Sequence, residues 1–205
     1  MEKQRTLLTK SIIKESLLEI LKDKKIHEIS IREICKKANI NRATFYNYYA
    51  SPKDAFIEIE NGFVDAVVNE LKVDAKNSDV MFEYMNKALI FLKENKEVTK
   101  VIINNVVSED FPKRLLTFPN INNAINLTSE VAIAPHLKKY YSTYLITANF
   151  ALVKLWINEG CVIDTKEISA LMISLGNRNI LKDNYISSNE DNSSSETLSS
   201  KNEDK

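Results

Sequence analysis

The feature that most constrains the fold is the scarcity of residues that build tight turns. Among 205 residues only three are glycine, Gly62, Gly160 and Gly176, and only four are proline. Hairpin turns and phosphate-binding loops need glycine where other residues would be strained. The chain therefore lacks the material for a β protein with many turns or for a nucleotide-binding loop. Long helices joined by few connections are expected instead.

Apolar residues recur at intervals of three and four along most of the chain, as they do on one face of an amphipathic helix. The segments with this pattern are 6–25, 52–72, 81–93, 97–107, 135–158 and 165–181, with a short helix or turn at 111–119. The stretch 121–134 is ambiguous. From 187 onward only Leu198 is apolar, so this tail cannot bury enough surface to order itself.

Helix-start and helix-stop signals divide the N-terminal part into three helices. Ser30 and Glu33 have the spacing of a capping box, and Asn41 can cap a short helix over 42–48. Between them, Asn39 is the residue best suited to the positive φ that a tight turn requires. Two helices joined in this way form either a DNA-binding helix-turn-helix or an ordinary helical hairpin, and the spacing alone favours neither.

These patterns predict an all-α protein with two folded parts. The N-terminal part is a three-helix unit at 1–51, which is a helix-turn-helix domain on the first of these two interpretations. Ser51 and Pro52 then begin a linking helix, which joins this domain to a C-terminal helical bundle. We assign the linking helix and the bundle to 52–183, and a disordered polar tail to 184–205.

The charge of the chain is distributed unevenly. The net charge is zero, yet residues 1–53 carry 12 Lys and Arg against 6 Asp and Glu, a local charge of +6. The tail at 182–205 carries 3 Lys and Arg against 6 Asp and Glu, a local charge of −3. This asymmetry indicates a basic N-terminal module that could meet nucleic acid, although basic surfaces also serve solubility.

The residues from Ile29 to Phe56 resemble the DNA-binding region of TetR/AcrR-type regulators. They share with that family a hydroxyl residue that opens the second helix, a Thr-x-Tyr stretch in the third helix, and a downstream lysine, Lys53. The resemblance covers roughly residues 5–60 in register. The chain departs from the family pattern at three places, where glycine, alanine and glycine are replaced by Lys25-Ile26, Cys35 and Asn39.

This resemblance implies a recognition helix at 41–48 that enters operator DNA. The residues implied to face the bases are Arg42, Ala43, Thr44 and Asn47. The residues implied to contact the DNA backbone are Ser30, Tyr46, Tyr48 and Lys53. The C-terminal runs Trp156–Cys161 and Thr165–Ile168 are similar, more loosely, to a Gram-positive subgroup that includes regulators of dihydroxyacetone kinase operons.

The leading hypothesis is a homodimeric repressor that a small-molecule effector releases from DNA. One helix-turn-helix buries too little surface for tight specific binding, so we expect pairing through the helices at 135–158 and 165–181. Alternatively, a partner protein controls the bundle. Five aromatic residues could line an effector cavity, although any helical core would use the same residues: Phe82, Phe91, Tyr141, Tyr144 and Phe150.

Other classes of protein find little support in the sequence. No paired carboxylates, nucleophile motif or metal-ligand spacing indicates an enzyme, so no cofactor or metal is expected. No apolar run approaches the length of a membrane span, and no signal segment follows the N-terminus. Cys35 and Cys161 form no disulfide framework. We therefore expect a cytoplasmic protein.

Overall fold

The computed structural model describes residues 2–71, 80–116 and 135–177, and within these ranges it contains helices and no strand. This confirms the predicted all-α fold. The α-helices are α1 (Glu2–Ile20), α2 (Ile31–Ala38), α3 (Arg42–Tyr46), α4 (Pro52–Glu70), α5 (Val80–Glu94), α6 (Lys96–Asn104), α7 (Phe111–Leu116), α8 (Lys138–Asn158) and α9 (Thr165–Asn177). Short 3-10 turns occupy Ile26–Glu28 and Pro135–Leu137.

Local capping interactions set the helix starts in the N-terminal part, as predicted. Ser30 and Glu33 form a reciprocal capping box at the start of α2. Ser51 accepts a hydrogen bond from the backbone N–H of Asp54 (3.2 Å), and Pro52 occupies the first turn of α4. Each cap satisfies a backbone donor that the helix itself leaves unpaired.

The first helix ends earlier than its apolar pattern predicts, at Ile20 rather than near Lys25. The chain then makes a turn and the 3-10 segment, in which Ile26 and its neighbour Ile29 are buried. In a continuous helix these two residues would lie away from the buried face of α1, whereas the turn directs both to the core. Burial of apolar surface thus overrides the local helical pattern.

The core runs without interruption from the N-terminal helices into the bundle. Ile13, Leu17, Ile34, Phe45 and Phe56 are fully buried where α1, α2, α3 and α4 meet. α4 continues past them and packs on both α5 and α7, while α5 packs on α9. α4 therefore links the two parts as predicted. The proposed domain boundary at 51/52 remains a prediction, and the tail at 184–205 lies outside the described residues.

None of the helices in the described ranges combines the length and the apolar character that crossing a bilayer requires.

Candidate nucleic-acid interface

A sharp turn positions the third helix against the second. Asn39 ends α2 with φ 51° and ψ 45°, the left-handed conformation expected from the sequence. The N–H of the following residue, Ile40, donates to the carbonyl of Cys35 at 3.0 Å. This hydrogen bond gives the Cys35 carbonyl, near the end of α2, a partner beyond the helix. Asparagine thus supplies here the backbone conformation that glycine supplies in the family pattern.

An asparagine cap then begins α3, the predicted recognition helix. The Oδ1 atom of Asn41 accepts hydrogen bonds from both the backbone N–H (2.7 Å) and the hydroxyl (2.9 Å) of Thr44. Phe45 is fully buried and contacts Tyr49 at 5.9 Å between ring centroids, which anchors the helix on the core. α3 ends at Tyr46, two residues earlier than the predicted helix at 42–48, because the chain tightens into a turn there.

Five of the eight residues implied to contact DNA are exposed, four of them in or next to α3 and one in the first turn of α4. These residues are Arg42, Ala43, Tyr46, Asn47 and Lys53, and the exposed fraction of Tyr46 is 54%. Their side chains form no hydrogen bond or ion pair with the other residues that the structure describes. They therefore leave their polar groups available to a ligand, and we call this set the α3 surface.

The other three residues are partly engaged within the protein. The Ser30 hydroxyl donates to the Glu33 carboxylate (2.8 Å) and accepts from the Glu33 backbone N–H (3.3 Å). The Thr44 hydroxyl is held by Asn41. Tyr48 is half-buried against the core. For the hydroxyl of Ser30 or Thr44 to donate a hydrogen bond to a phosphate or a base, its hydrogen bond within the protein would have to break.

Glu33 is stabilised as a carboxylate by its neighbours. Hydrogen bonds from Lys24 and then from Ser30 lower the pKa of Glu33 to about 2. The capping box at the start of α2 therefore keeps its charged form over the physiological pH range.

Sequence reasoning missed a polar cluster beneath the α3 surface. Glu58 on α4 accepts hydrogen bonds from Lys10 (2.7 Å), Lys14 (3.3 Å) and the Tyr49 hydroxyl (3.1 Å). Burial alone would raise the pKa of Glu58, but these three hydrogen bonds hold it below its usual value. The cluster joins α1 to α4 and fixes Tyr49. Its members are separated by up to 48 residues, so no local pattern could have revealed it.

A fully buried carboxylate, Glu60, attaches the bundle to the linking helix. Glu60 has no exposed surface, and it accepts hydrogen bonds from the backbone N–H groups of Val107 (2.7 Å) and Ser108 (3.4 Å) and from the Ser108 hydroxyl. The Arg114 guanidinium lies 3.9 Å from the same carboxylate. Glu60 thus holds the connection between α6 and α7 against α4.

The end of α6 also contacts the N-terminal part. The Asn105 side chain accepts a hydrogen bond from the backbone N–H of Ile26 (3.1 Å) and donates to the carbonyl of Val101 (2.9 Å). Asn104 pairs with Asn158 at the end of α8, with 2.7 Å between the amide nitrogen of Asn104 and the amide oxygen of Asn158. α6 therefore touches both the turn before α2 and the helix expected to form the dimer.

The five aromatic residues expected to line an effector cavity occupy different surroundings. Phe91 contacts Phe63 at 6.3 Å between centroids, Phe150 contacts Phe111 at 6.1 Å, and Phe82 is half-buried. The Tyr141 hydroxyl donates to the Gly176 carbonyl, while Tyr144 is 54% exposed. An open cleft of about 710 Å³ is lined by other residues: Asn61, Val64, Asp65, Val68, Asp110, Lys113 and Arg114. The assignment of an effector pocket to the aromatic residues remains a prediction.

In the described part of the chain, no three His, Cys, Asp or Glu side chains come together as a potential metal site.

Comparison with known proteins finds a family match in the C-terminal part of the chain. A TetR family model described as "Transcriptional regulator C-terminal region" matches residues 79–178. This match adds the bundle to the resemblance already noted for the helix-turn-helix. The C-terminal bundle is therefore similar to that of TetR-type transcriptional regulators, and α5 to α9 lie within the matched residues.

Two curated relatives of the chain are named as transcriptional regulators. An uncharacterized HTH-type transcriptional regulator of Bacillus subtilis (strain 168), YxbF, is 24% identical over 77% of the chain. The HTH-type dhaKLM operon transcriptional activator DhaS of Lactococcus lactis is 29% identical over 44% of the chain. The matched stretches span 42% and 44% of these relatives, so the chain covers less than half of their lengths.

Solved structures of TetR-type regulators share the fold. A TetR transcriptional regulator from Streptococcus agalactiae 2603V has a TM-score of 0.70 at 14% identity, over 86% of this chain and 98% of that one. The regulator FadR from Bacillus subtilis, in complex with stearoyl-CoA, has a TM-score of 0.52 at 16% identity, over 83% and 98% of the two chains. At these identities the likeness concerns the fold alone.

Proposed function

We propose that this protein is a TetR-type, sequence-specific DNA-binding regulator that acts in the cytoplasm. The observation that carries the proposal is the α3 surface, whose polar side chains have no partner among the described residues. Arg42 and Asn47 offer hydrogen-bond donors suited to base edges, and Tyr46 and Lys53 offer donors suited to phosphates. The net charge of +6 over residues 1–53 would attract the negatively charged DNA backbone.

Lys53→Ala is expected to weaken binding to all DNA sequences alike. Loss of one phosphate contact should lower the slope of log affinity against log salt concentration by about one unit. The measurement is fluorescence anisotropy with a duplex selected from a random pool, at several salt concentrations. Lys100→Ala, at an exposed lysine on α6, is the matched control and should keep the parent slope. An unchanged slope for Lys53→Ala would contradict the docking mode.

Asn47→Ala is expected to change base preference, since this side chain is assigned to the bases. Repeating the selection with this variant should alter one position of each half-site and leave the salt slope nearly unchanged. The opposite pattern, an unchanged preference with a reduced slope, would reassign Asn47 to the DNA backbone.

We propose that the protein binds DNA as a homodimer through α8 and α9. Large apolar side chains on both helices remain exposed: Tyr140, Tyr144, Leu155, Leu171 and Leu175. The Tyr141–Gly176 hydrogen bond brings the start of α8 beside the end of α9, so these residues can form one continuous face. An extended apolar face on one chain indicates a surface that another chain covers.

We further propose that the dimer is a repressor released by a small-molecule effector bound in the C-terminal bundle. Support comes from FadR, a relative in fold whose structure contains stearoyl-CoA. Control by a partner protein is the second candidate, and the name of DhaS, an operon transcriptional activator, shows that a similar protein can activate transcription. To release DNA, the effector or the partner protein must bind more tightly to the conformation that cannot bind DNA than to the one that can. A thermal shift caused by a metabolite would support control by a small molecule. Co-elution of the whole protein with a candidate partner protein would support control by that partner.

A further inference from the structure

Two neighbouring side chains of α3 present methyl groups to DNA and have no free hydrogen-bond donor. Ala43 is exposed, and its side chain is a single methyl group. Thr44, the next residue, is partly exposed and directs its hydroxyl to Asn41 Oδ1 at 2.9 Å. The same oxygen accepts the Thr44 backbone N–H at 2.7 Å. The cap of the helix thus uses both donors of Thr44.

The polar side chains on either side differ in this respect. Arg42 and Asn47 are exposed and have no internal partner among the described residues, so they can donate to any base acceptor within reach. Ala43 can add only apolar contact, and Thr44, whose hydroxyl hydrogen is held by Asn41, can add its methyl group and an acceptor oxygen but no donor. In the major groove, thymine is the one common base that presents an apolar group, its C5-methyl. A pair of protein methyl groups is therefore complementary to thymine and indifferent to the other bases.

We infer that Ala43 and Thr44 recognise thymine C5-methyl groups, so each half-site contains thymine where these residues dock. The inference rests on the proposed function and adds the chemical group that is read. Asn41 takes part as a positioning residue, because its carboxamide keeps the Thr44 hydroxyl turned away from the bases.

Deoxyuridine tests this directly, since it pairs like thymidine but lacks the C5-methyl. Each thymine of a selected duplex is replaced in turn, and binding is measured by fluorescence anisotropy. One or two replacements in each half-site should weaken binding about fourfold each, the effect of losing one buried methyl group. Replacements outside the half-sites should have no effect.

Two variants of Thr44 assign the effect to the protein side. Thr44→Ser keeps the hydroxyl that bonds Asn41 but lacks the methyl, so it should bind the thymidine and deoxyuridine duplexes equally at one position. Thr44→Val keeps a methyl and lacks the hydroxyl, so it should still discriminate between them. Ala43→Gly should abolish discrimination at a different position, and the ratio between the two duplexes cancels the cost of glycine in the helix.

The outcomes separate this inference from the proposed function. If a duplex is bound specifically but no deoxyuridine replacement weakens binding by more than twofold, the reading of thymine is wrong and DNA binding stands. Discrimination that persists in Thr44→Ser and is lost in Thr44→Val would place the hydroxyl, not the methyl, on the base and overturn the inference. Absence of any specific duplex would overturn both.

Discussion

Glu60→Ala is expected to lower the free energy of unfolding by about 3 kcal/mol, since it removes a buried carboxylate that accepts several hydrogen bonds. The backbone N–H groups of Val107 and Ser108 would lose their partner, and the Arg114 guanidinium would lose a neighbouring negative charge. Urea denaturation followed by circular dichroism measures this change. For a chain of this size the midpoint of thermal unfolding should fall by roughly 6–12 °C.

Two further variants control for this effect. Glu60→Gln keeps one acceptor oxygen for the backbone groups, so its loss of stability should be smaller than that of Glu60→Ala. Glu70→Ala removes an exposed carboxylate from the last turn of the same helix, and it should change stability by less than about 0.5 kcal/mol. Equal stability of Glu60→Ala and Glu70→Ala would show that the contact with the α6–α7 connection is not stabilising.

Tyr144→Glu combined with Leu171→Glu is expected to convert the dimer into monomers. Both side chains are about half-exposed on the proposed α8–α9 face, and a carboxylate there would be buried without a partner in the dimer. The two DNA-reading heads would then bind independently. Because linkage contributes a factor of 100 or more to such binding, the affinity for a twofold site should fall by at least about 100-fold.

The control for this variant is Val162→Glu, which places the same charge on a residue that is 84% exposed in the connection between α8 and α9. It should remain dimeric and bind DNA as the parent does. Analytical ultracentrifugation gives the oligomeric state, and circular dichroism establishes that each variant is folded. A double variant that stays dimeric, or a parent protein that is monomeric at micromolar concentration, would contradict the proposed interface.

The parts of the fold that could be predicted depend on residues close together in the sequence. The caps at Ser30, Asn41 and Ser51 each involve a partner three residues away. The positive φ of Asn39 follows from the restricted conformations of other residue types. Helix periodicity depends on equally local spacing. For these reasons the amino-acid sequence alone predicts the order of the helices and the position of the recognition helix.

The parts that could not be predicted depend on contacts between distant residues. Glu58 and Glu60 accept hydrogen bonds from groups that lie 44 to 48 residues away in the sequence. The early end of α1 reflects burial of Ile26 and Ile29, which competes with the local pattern. Even within α3, the sequence shows that Thr44 carries a hydroxyl but not that Asn41 holds it. The chemistry of the site therefore depends on the three-dimensional arrangement of these groups.

Selection of bound duplexes from a pool of random DNA tests the central claim most directly. A dimer with two recognition helices should enrich an inverted repeat whose half-sites lie about one helical turn, or a multiple of it, apart. Variants at Arg42 and Asn47 should alter that repeat, whereas Lys53→Ala should preserve it at lower affinity. Recovery of a pool with no enriched sequence, at a salt concentration where the protein is folded, would contradict the assignment of the α3 surface to operator DNA.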